Sequence, residues 1–279
     1  MEEVLKNELD LEYCKKCGMC CGTNQSIIME TNRGKMFVKC CEDRQLAEGE
    51  FESLKAIRDT GSIACPTPIC TIKFGPSNFG LVTNYVDMSR TRGLETKLAH
   101  QLAEMHAHRS TGASFGFHVP TCCGKLAQDN EQDCSTWKEF FIRHRLAPQL
   151  EKAEFIHDRA QLDALYEKTW KILECRDNIA PSLVHGDLWG GNWSGHQGEP
   201  IIFDPSSSFS DPEFEFGIMS LFGGLTKSFQ DQYFEKSDFQ PGFEQRLLLY
   251  ELYHLLNHYN HFGGSYKSSA QRKIQEILM

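Results

Sequence analysis

The stretch SLVHGDLWGGNWSGHQGEPIIFDP, residues 182–205, decides the fold of this chain. It contains the pattern H-G-D-L-x-x-x-N, in which Asp187 is followed five residues later by Asn192. A second carboxylate, Asp204, comes after an apolar run typical of a strand. Aspartate and glycine are common in turns, so the tripeptide His-Gly-Asp alone indicates little. The two carboxylates and the amide at this spacing, around a strand, indicate a chemical site.

This layout is typical of the catalytic loop and metal-binding strand of kinases, with Gly186 in place of the arginine of protein kinases. Phosphoryl transfer asks little covalent chemistry of a protein, because it needs a hydroxyl held in line and metal ions that neutralise phosphate charge. We therefore predict that Asp187 is the catalytic base. Asn192 and Asp204 are the predicted metal-binding residues, since one reaches back over the loop and the other follows the hairpin.

A kinase also needs a lysine late on a strand and a glutamate on the following helix. Lys39 lies inside the apolar run MFVKC, and Glu50 follows eleven residues later within LAEGEFESL. We predict that the two side chains form an ion pair that sets the nucleotide phosphates. Glu48 and Glu52 are rivals, but they lie about 160–200° away around the helix. The alternative for Lys39 is a solvated lysine at a strand end.

The pattern of the whole chain predicts an α+β fold with two lobes. A helical pattern at 2–12 precedes strand-like runs at 26–41 and 65–87, which flank a predicted helix at 42–61. Further helices are predicted at 94–108, 135–152, 158–175, 213–234 and 242–262, with a hairpin whose second strand is 201–204. This is the bilobal, protein-kinase-like plan. We assign 1–86 to a small, β-rich ATP-binding lobe with one helix, and 87–279 to a larger, mostly helical lobe for catalysis and substrate.

The segment FGLVTNYVDM, residues 79–88, falls where the connector between the lobes would run. Backbone groups of such a connector usually hold adenine. Asn84, Tyr85 and Val86 are therefore candidates for nucleotide binding by their position, and their side chains carry little of the argument.

Composition and charge exclude several classes of protein. The chain has 279 residues, a net charge of −9 and a pI near 5.7, with no block of basic residues, so it lacks the footprint of a nucleic-acid binder. The amino terminus, MEEVLKNELDLEY, does not have the basic region and apolar run of a secretory signal. No apolar run approaches the ~20 residues of a membrane span. We expect a cytoplasmic protein with neither nucleic acid nor membrane as partner.

Several further runs are distinctive of one family. After Asp204 the chain passes almost directly into a helical pattern, without the D-F-G and A-P-E motifs of protein kinases, which favours a kinase of small molecules. The runs are FGFHVPTCCG (115–124), FFIRHRLAPQL (140–150), LVHGDLWGGN (183–192), IIFDP (201–205), EFEFGIMSLFGG (213–224) and PGFEQRLLLYELYHLLNHYNHFG (241–263). Through most of its length the chain thus resembles the fructosamine/ketosamine-3-kinases, relatives of the aminoglycoside phosphotransferases. The run HGDLWGGN, with Gly190, resembles the ketosamine-3-kinase-related branch of this family more than the fructosamine-specific branch.

The resemblance implies a reaction and its cofactors, ATP and Mg²⁺. The implied enzyme phosphorylates the 3-hydroxyl of a ketosamine, the rearranged sugar adduct on a protein lysine or a small amine. The 3-phosphate is unstable, and loss of phosphate and sugar restores the amine. Ribulosamine and psicosamine are the implied substrates, with fructosamine as a further one. The implied roles are those given above for Lys39, Glu50, Asp187, Asn192 and Asp204.

Four residues are predicted to bind the sugar. Trp189 lies two residues from the predicted base, and an aromatic face suits the apolar face of a sugar ring. His185, in the same loop, is a second candidate. The run NHYNHFG at a helix end supplies Asn260 and His261 as a wall for hydroxyl groups. The alternative is that the tryptophan and the histidines are structural, as single histidines usually are.

The stretch YCKKCGMCCGTN, residues 13–24, carries cysteines at C-x2-C-x2-C spacing, which also suits a zinc knuckle. Counting back from Lys39, however, it falls where the phosphate-covering loop belongs. Gly22 would there let backbone N–H groups approach phosphate. A closed zinc site would need a fourth ligand from Cys40 or Cys41.

Redox control is the sharper hypothesis for this stretch. The chain has 12 cysteines, and in a reducing compartment most of them are free thiols. Cys20 and Cys21 are candidates for a disulfide that distorts the loop or links two chains. We therefore expect a monomer or a redox-dependent dimer.

Three other functions stay open. The first is a related kinase for another alcohol, such as a sugar or an aminoglycoside-like compound. The second is a weakly active pseudokinase that binds partners through its lobes. The third is a metal-binding module built on the N-terminal cysteines.

Overall fold

The computed structural model describes residues 1–20, 26–88, 92–155, 158–237 and 240–279. Its N-terminal part is built on a five-stranded antiparallel sheet with the strand order β1-β2-β3-β5-β4. The strands are β1 (Cys14–Cys20), β2 (Ser26–Thr31), β3 (Gly34–Cys41), β4 (Pro68–Lys73) and β5 (Phe79–Asn84). The hairpin predicted over residues 26–41 is confirmed, because β2 and β3 pair around the turn that precedes Gly34.

Two helices pack against this sheet, where the sequence had indicated them. They are α1 (Glu2–Leu9) and α2 (Arg44–Thr60). Leu5 of α1 is fully buried in a cluster with side chains of the sheet, including Met29, Val38 and Val82. Burying such side chains stabilises the fold by about 1.5–3 kcal/mol each. The sheet is thus fixed from one face by α1.

Both ends of α2 are defined by specific residues. The Asp43 carboxylate accepts a hydrogen bond from the backbone N–H two residues later, which caps the first turn. Gly61 ends the helix in the left-handed region, at φ 65°. Leu54 and Ile57 are buried on the inner face. The helix therefore holds Glu50 at a fixed place opposite β3.

Helices dominate the rest of the chain, as predicted. They are α3 (Glu95–His106), α4 (Trp137–Phe140), α5 (Ala147–Lys152), α6 (Arg159–Leu173), α7 (Phe216–Phe222), α8 (Lys227–Phe234), α9 (Phe243–Phe262) and α10 (Tyr266–Leu278). A π-helical turn (Phe141–Leu146) joins α4 to α5. Within the described ranges, no helix is both long and apolar enough to cross a lipid bilayer.

The structure corrects two of the predicted helices and adds one. The single helix predicted over 213–234 is broken by Gly223 and Gly224, both at positive φ, and becomes α7 and α8. The helix predicted over 135–152 includes the π-helical turn. Helix α10 was not predicted, although Ala270, Ile274 and Ile277 give it a buried apolar face at helical spacing.

Three short antiparallel pairs line the region between the sheet and the helices. They are β6 (Thr121–Cys123) with β7 (Leu126–Gln128), β8 (Ser182–Val184) with β11 (Ser208–Ser210), and β9 (Trp193–His196) with β10 (Glu199–Ile202). The second strand of the predicted hairpin thus lies at 199–202 and not 201–204. Asp204 consequently follows the strand, in a left-handed conformation at φ 58°.

A buried ionic network fixes the segment between β11 and α7. Arg176 donates two hydrogen bonds to Asp211, at 2.7 and 2.8 Å, and Tyr250 donates a third at 3.0 Å. Arg246 donates to both carboxylate oxygens of Glu213, at 2.6 and 2.8 Å. Removing one partner of a buried pair typically costs about 3–5 kcal/mol, because the other charge is left unpaired. The network therefore sets the backbone of 211–215 firmly.

We expect Gly217→Ala to destabilise the protein. Helix propensity alone would make this change stabilising by about 1 kcal/mol. However, a Cβ at Gly217 would lie 2.7 Å from the carbonyl carbon of Tyr250 in α9, so the two helices would have to separate. We expect the free energy of unfolding to fall by about 1–3 kcal/mol in chemical denaturation.

The control for this substitution is Ser268→Ala, on the exposed face of α10. It should change the free energy of unfolding by less than about 0.5 kcal/mol. A stabilised Gly217→Ala protein would contradict the close helix contact.

Candidate active site

The loop HGDLWGGN connects β8 to β9 and turns sharply at Gly186. This residue has φ 83°, and a Cβ on it would lie 2.2 Å from the carbonyl oxygen of Ser206. Only glycine fits such a close approach of two backbone segments. The glycine that replaces the arginine of protein kinases is therefore required by the local packing.

Glu215 holds this loop from behind. Its carboxylate is fully buried and accepts hydrogen bonds from the N–H groups of His185, at 2.6 Å, and Gly186, at 2.9 Å. Burial alone would raise the pKa of Glu215, but contacts with His106 and His185 lower it overall. A charged acceptor for two backbone donors thus fixes the turn that presents Asp187. The sequence interpretation missed Glu215, although an acidic residue inside the apolar run FEFGIM was the available signal.

Asp187 lies at the end of this turn, partly buried. The Asn192 side-chain amide donates to the Asp187 carbonyl oxygen at 2.8 Å and to its carboxylate at 3.2 Å. The Cys123 Sγ lies 3.9 Å from the same carboxylate. Burial, followed by the charges of Asp204 and Glu215, raises the pKa of Asp187 to about 8. A carboxyl group whose pKa lies near neutral pH is suited to exchange a proton with a bound hydroxyl.

Lys39, on β3, reaches two carboxylates. Its Nζ lies 2.7 Å from Glu50 Oε2 and 3.0 Å from Asp204 Oδ1. Burial alone would lower the pKa of Lys39, but the two carboxylates raise it above its ordinary value. Burial raises the pKa of Glu50 to about 7, against the effect of Lys39.

The rivals of Glu50 point elsewhere. Glu48 pairs with Arg44 at 2.6 Å, and Glu52 lies 3.1 Å from His118. The structure therefore places Glu50, and neither of its helix neighbours, at the lysine.

These groups line one cleft of about 320 Å³. The residues predicted for phosphate, metal and base all contribute to it: Lys39, Glu50, Asp187, Asn192 and Asp204. Its other walls include Cys122, His261 and Phe262. The cleft receives carboxylate and amide groups from Asp187, Asn192 and Asp204. Their oxygen atoms are the type of ligand that Mg²⁺ prefers. The donor set of the cleft thus fits a magnesium ion.

Two of the four predicted sugar-binding residues lie at this cleft or its loop. Trp189 is 38% exposed, and its ring lies over Gly191, where an added Cβ would meet it at 2.4 Å. The ring is therefore not a core tryptophan. His261 accepts a hydrogen bond from the backbone N–H of Lys125 at 2.7 Å and holds the β6–β7 turn against the end of α9.

The other two predictions are corrected. His185 is fully buried, and both of its ring nitrogens are bonded within the chain, to Phe203 O at 3.0 Å and to the Asp187 N–H at 3.3 Å. Burial lowers its pKa, so it is a neutral ring that positions the loop and does not reach substrate. Asn260 donates to the carbonyl and side-chain oxygens of Gln149, at 3.0 and 2.7 Å, and joins α9 to α5. It does not line the cleft.

Two residues of the predicted connector use their backbone N–H groups in hydrogen bonds within the chain. The N–H of Asn84 donates to Thr67 O at 3.1 Å, and that of Tyr85 donates to Lys35 O at 3.0 Å. Both amides are thus engaged in the sheet region. Backbone carbonyl groups can also contact adenine, so the roles predicted for Asn84, Tyr85 and Val86 stay predictions.

The N-terminal cysteine stretch is only partly described. Residues 14–20 form β1, with an irregular register between Lys16 and Gly18, so the expected phosphate loop does not begin before Cys20. Gly22 and Cys21 lie outside the described residues, and so does the side chain of Cys20. Their predicted roles stay predictions. Cys14 is buried in the sheet core and Cys17 is exposed. Among the described residues, these cysteines form no group with metal-ligand geometry.

The whole chain is similar to known kinases. The family model described as fructosamine kinase matches residues 1–279. The ketosamine-3-kinase of Mus musculus is 38% identical, with 99% of each chain covered. The chloroplastic protein-ribulosamine 3-kinase of Oryza sativa subsp. indica is 37% identical and covers 91% of this chain and 76% of its own.

Two solved structures show the same fold. One is a protein from Haemophilus somnus 129PT, provisionally named a fructosamine-3-kinase, with a TM-score of 0.85, 24% identity and coverage of 100% and 96%. The other is the apo form of a thermostable mutant of the aminoglycoside phosphotransferase APH(4)-Ia, with a TM-score of 0.63, 15% identity and coverage of 100% and 98%. They confirm the α+β, kinase-like fold predicted from the sequence.

We expect Glu215→Gln to impair both stability and turnover. An amide has one acceptor oxygen, and its NH₂ group would face the N–H of His185 or Gly186. One buried donor would thus lose its partner, at a cost of about 1–3 kcal/mol. Denaturation and steady-state kinetics at saturating substrate measure the two effects. The control is Glu199→Gln at an exposed ion pair, which should change neither. Normal turnover in Glu215→Gln would show that the loop does not depend on this anchor.

We expect Asp187→Asn to stabilise the metal-free protein, increasingly so as pH rises. Asp187 has a folded-state pKa of about 8 against its ordinary 3.8, so between these values the native state keeps a proton that the unfolded state has released. Rising pH therefore destabilises the native wild type through this window, and asparagine removes that effect. Thermal melting in a chelating buffer across the window measures it. Glu50 titrates in both proteins and cancels in the difference. A difference in melting temperature that stays flat or shrinks with rising pH would contradict the raised pKa.

Proposed function

Since the chain belongs to the fructosamine kinase family, we propose that it transfers the γ-phosphate of ATP to the 3-hydroxyl of a ketosamine. The observation that carries this proposal is the cleft that brings together Lys39, Glu50, Asp187, Asn192 and Asp204. Relatives named for ketosamine and ribulosamine kinases, more than a third identical along most of the chain, support the substrate class. The product is a 3-phosphate that eliminates and restores the amine.

Asp187 is the proposed base. Its carboxylate is oriented by the amide of Asn192 on one side and by the fixed turn at Gly186 on the other. Its raised pKa gives it enough basicity to accept the hydroxyl proton as the oxygen attacks. The carboxylate lies at the surface of the cleft, where a substrate hydroxyl can approach it.

Lys39 and Glu50 are the proposed phosphate-positioning pair. The ion pair fixes the direction of the ammonium group, which then offers its remaining donors to the nucleotide phosphates. Asn192 and Asp204 would hold magnesium. When bound, the ion neutralises the negative charge that develops on the phosphates.

The sugar would lie between the catalytic loop and the end of α9. Trp189 follows the base by two residues in the same loop and has an exposed aromatic face, which suits the apolar side of a sugar ring. His261 lines the cleft. We propose ribulosamine or psicosamine adducts, on protein lysines or small amines, as the preferred substrates, with fructosamine as a further one.

The remaining features of the proposal concern the whole chain. We assign 1–86 to the nucleotide lobe and 87–279 to the catalytic and substrate lobe, with Val86 as the adenine contact. We propose a cytoplasmic enzyme that is a monomer or a redox-dependent dimer through Cys20 or Cys21. Size-exclusion chromatography with oxidant and with reductant tests this, since equal elution volumes would exclude the dimer.

The function is tested by ATP turnover with a small ribulosamine and a small fructosamine. We expect turnover with the ribulosamine, and a loss of at least ~100-fold in kcat for Asp187→Asn, because the base is removed. The same assay is carried out with a panel of free sugars and an aminoglycoside. Equal turnover in wild type and variant would contradict the mechanism. Turnover with a compound of the panel and not with the ketosamines would indicate a kinase for another alcohol. A protein that neither turns over ATP nor binds nucleotide would be a pseudokinase.

We expect Trp189→Ala to raise KM for the ketosamine by about 2–13-fold with little change in kcat, because an aromatic contact contributes about 0.5–1.5 kcal/mol. The matched control is Trp170→Ala, because Trp170 is 39% exposed and lies on α6, where it contacts Lys138 and not the cleft. The control should leave KM unchanged. An unchanged KM in Trp189→Ala would remove the tryptophan from the sugar site.

A further inference from the structure

A second group of potential ligands lies outside the cleft, between the loop before α4 and the π-helical turn. It consists of Asp133, Cys134 and His144, whose ligand atoms all lie within 4.8 Å of one another. The proposed kinase chemistry uses none of these residues.

His144 is the centre of the group. Its side chain is almost completely buried, and its Nε2 lies 2.8 Å from Asp133 Oδ1. The Cys134 Sγ lies 3.3 Å from the same carboxylate oxygen, and Cys134 is itself buried. A carboxylate, a thiol and an imidazole therefore converge on one point from two neighbouring elements.

The second nitrogen of the imidazole, Nδ1, contacts a carboxylate, as is usual for histidines that bind a metal. The Nδ1 of His144 lies 2.7 Å from Asp129 Oδ2. A histidine that binds a metal through one nitrogen almost always donates its other N–H to a carboxylate or carbonyl, which orients the ring and makes it a stronger ligand. Asp129 occupies that outer position here, while Asp133 and Cys134 lie at the inner nitrogen.

The local backbone departs from regular helix at this place. His144 lies in the π-helical turn Phe141–Leu146. Such turns inside α-helices are rare and occur frequently at functional sites, because the wider turn re-aims a side chain. Here it directs His144 inward, to the loop that carries Asp133 and Cys134.

We propose that Asp133, Cys134 and His144 bind one Zn²⁺ ion, with Asp129 as the partner that orients the histidine. Oxygen, thiolate and imidazole are the ligand types of zinc, at about 2.0–2.3 Å from the metal. Tetrahedral coordination places such ligand atoms about 3.3–3.8 Å apart, which follows from those bond lengths. The Cys134–Asp133 distance already lies in this range, and the Asp133–His144 distance has to widen by about half an ångström.

Binding needs only a small local adjustment. Asp133 is the outermost ligand, with 28% of its side chain exposed, so solvent can reach the metal. Its other carboxylate oxygen lies 2.7 Å from the exposed Arg143 guanidinium, a solvated pair that can move with the carboxylate. The ion replaces the thiol proton of Cys134 and the proton that lies between His144 Nε2 and Asp133. Three protein ligands leave a fourth position for water. This site would join the loop before α4 to the π-helical turn, and it does not depend on the proposed kinase function.

The site is tested by titrating the metal-free, reduced full-length protein with Co²⁺, which replaces zinc and reports its ligands in its absorption spectrum. Excess Mg²⁺ is present, because it occupies the oxygen-only donors of the catalytic cleft and not a thiolate site. We expect one equivalent of Co²⁺ with tetrahedral d–d bands and a thiolate charge-transfer band, displaced by Zn²⁺. We also expect Zn²⁺ to raise the melting temperature.

Substitutions assign the signal to individual residues. Cys134→Ser should abolish the charge-transfer band, and Asp129→Asn should weaken binding by about 10–100-fold while the spectrum is kept. Asp133→Asn, at a partly exposed residue, should weaken binding by at least ~10-fold and serves if Cys134→Ser does not fold. Cys175→Ser and Cys17→Ser are controls at exposed cysteines and should bind as the wild type does.

Two outcomes would overturn the proposal. One is a wild-type protein that gives no tetrahedral cobalt spectrum. The other is a thiolate charge-transfer band that survives in Cys134→Ser, an unchanged Co²⁺ affinity in Asp133→Asn, or a signal that disappears in Cys17→Ser, which would place the metal at the N-terminal cysteines.

Discussion

The ammonium group of Lys39, shared between Glu50 and Asp204, is the interaction on which the arrangement of the cleft depends. It joins strand β3, helix α2 and the segment that follows β10. These three elements come from distant parts of the sequence, and the two ion pairs keep them together. The Glu50 carboxylate, with 15% of its side chain exposed, would be costly to bury without the lysine, whereas Asp204 is 46% exposed. The same lysine is the group that a nucleotide phosphate would engage, so the ion pairs that hold the cleft together also prepare it for its ligand.

The catalytic loop is fixed by a second set of constraints, below the cleft. Glu215 binds two of its backbone N–H groups, and the ionic network of Asp211 and Glu213 fixes the backbone that carries Glu215. Gly186 allows the loop to pass against Ser206. The reactive carboxylate is therefore placed by rigid, buried contacts and not by its own side-chain preferences. Such preorganisation is what phosphoryl transfer requires of a protein.

The sequence predicted the fold, and it predicted which residues would come together in the cleft, because both leave local signals. Spacing identified Asp187, Asn192 and Asp204, and helix periodicity separated Glu50 from Glu48. Prediction from the sequence failed where the role of a residue depends on contacts with distant parts of the chain. The burial of His185 and the pairing of Asn260 with Gln149 are properties of tertiary packing, and no pattern around either residue shows them. Glu215 and the Asp133–Cys134–His144 group were missed for the same reason, since their partners lie far away or in a π-helical turn.

The central claim is that this cleft phosphorylates a ketosamine at its 3-hydroxyl. Mass spectrometry of a synthetic peptide that carries a ribulosyl-lysine, followed over time with enzyme, ATP and Mg²⁺, tests it most directly. The account predicts that the peptide first gains one phosphate and then loses phosphate and sugar together, so that the mass of the unmodified peptide returns. A peptide that is never phosphorylated, or that keeps its phosphate stably because another hydroxyl has reacted, would contradict the account.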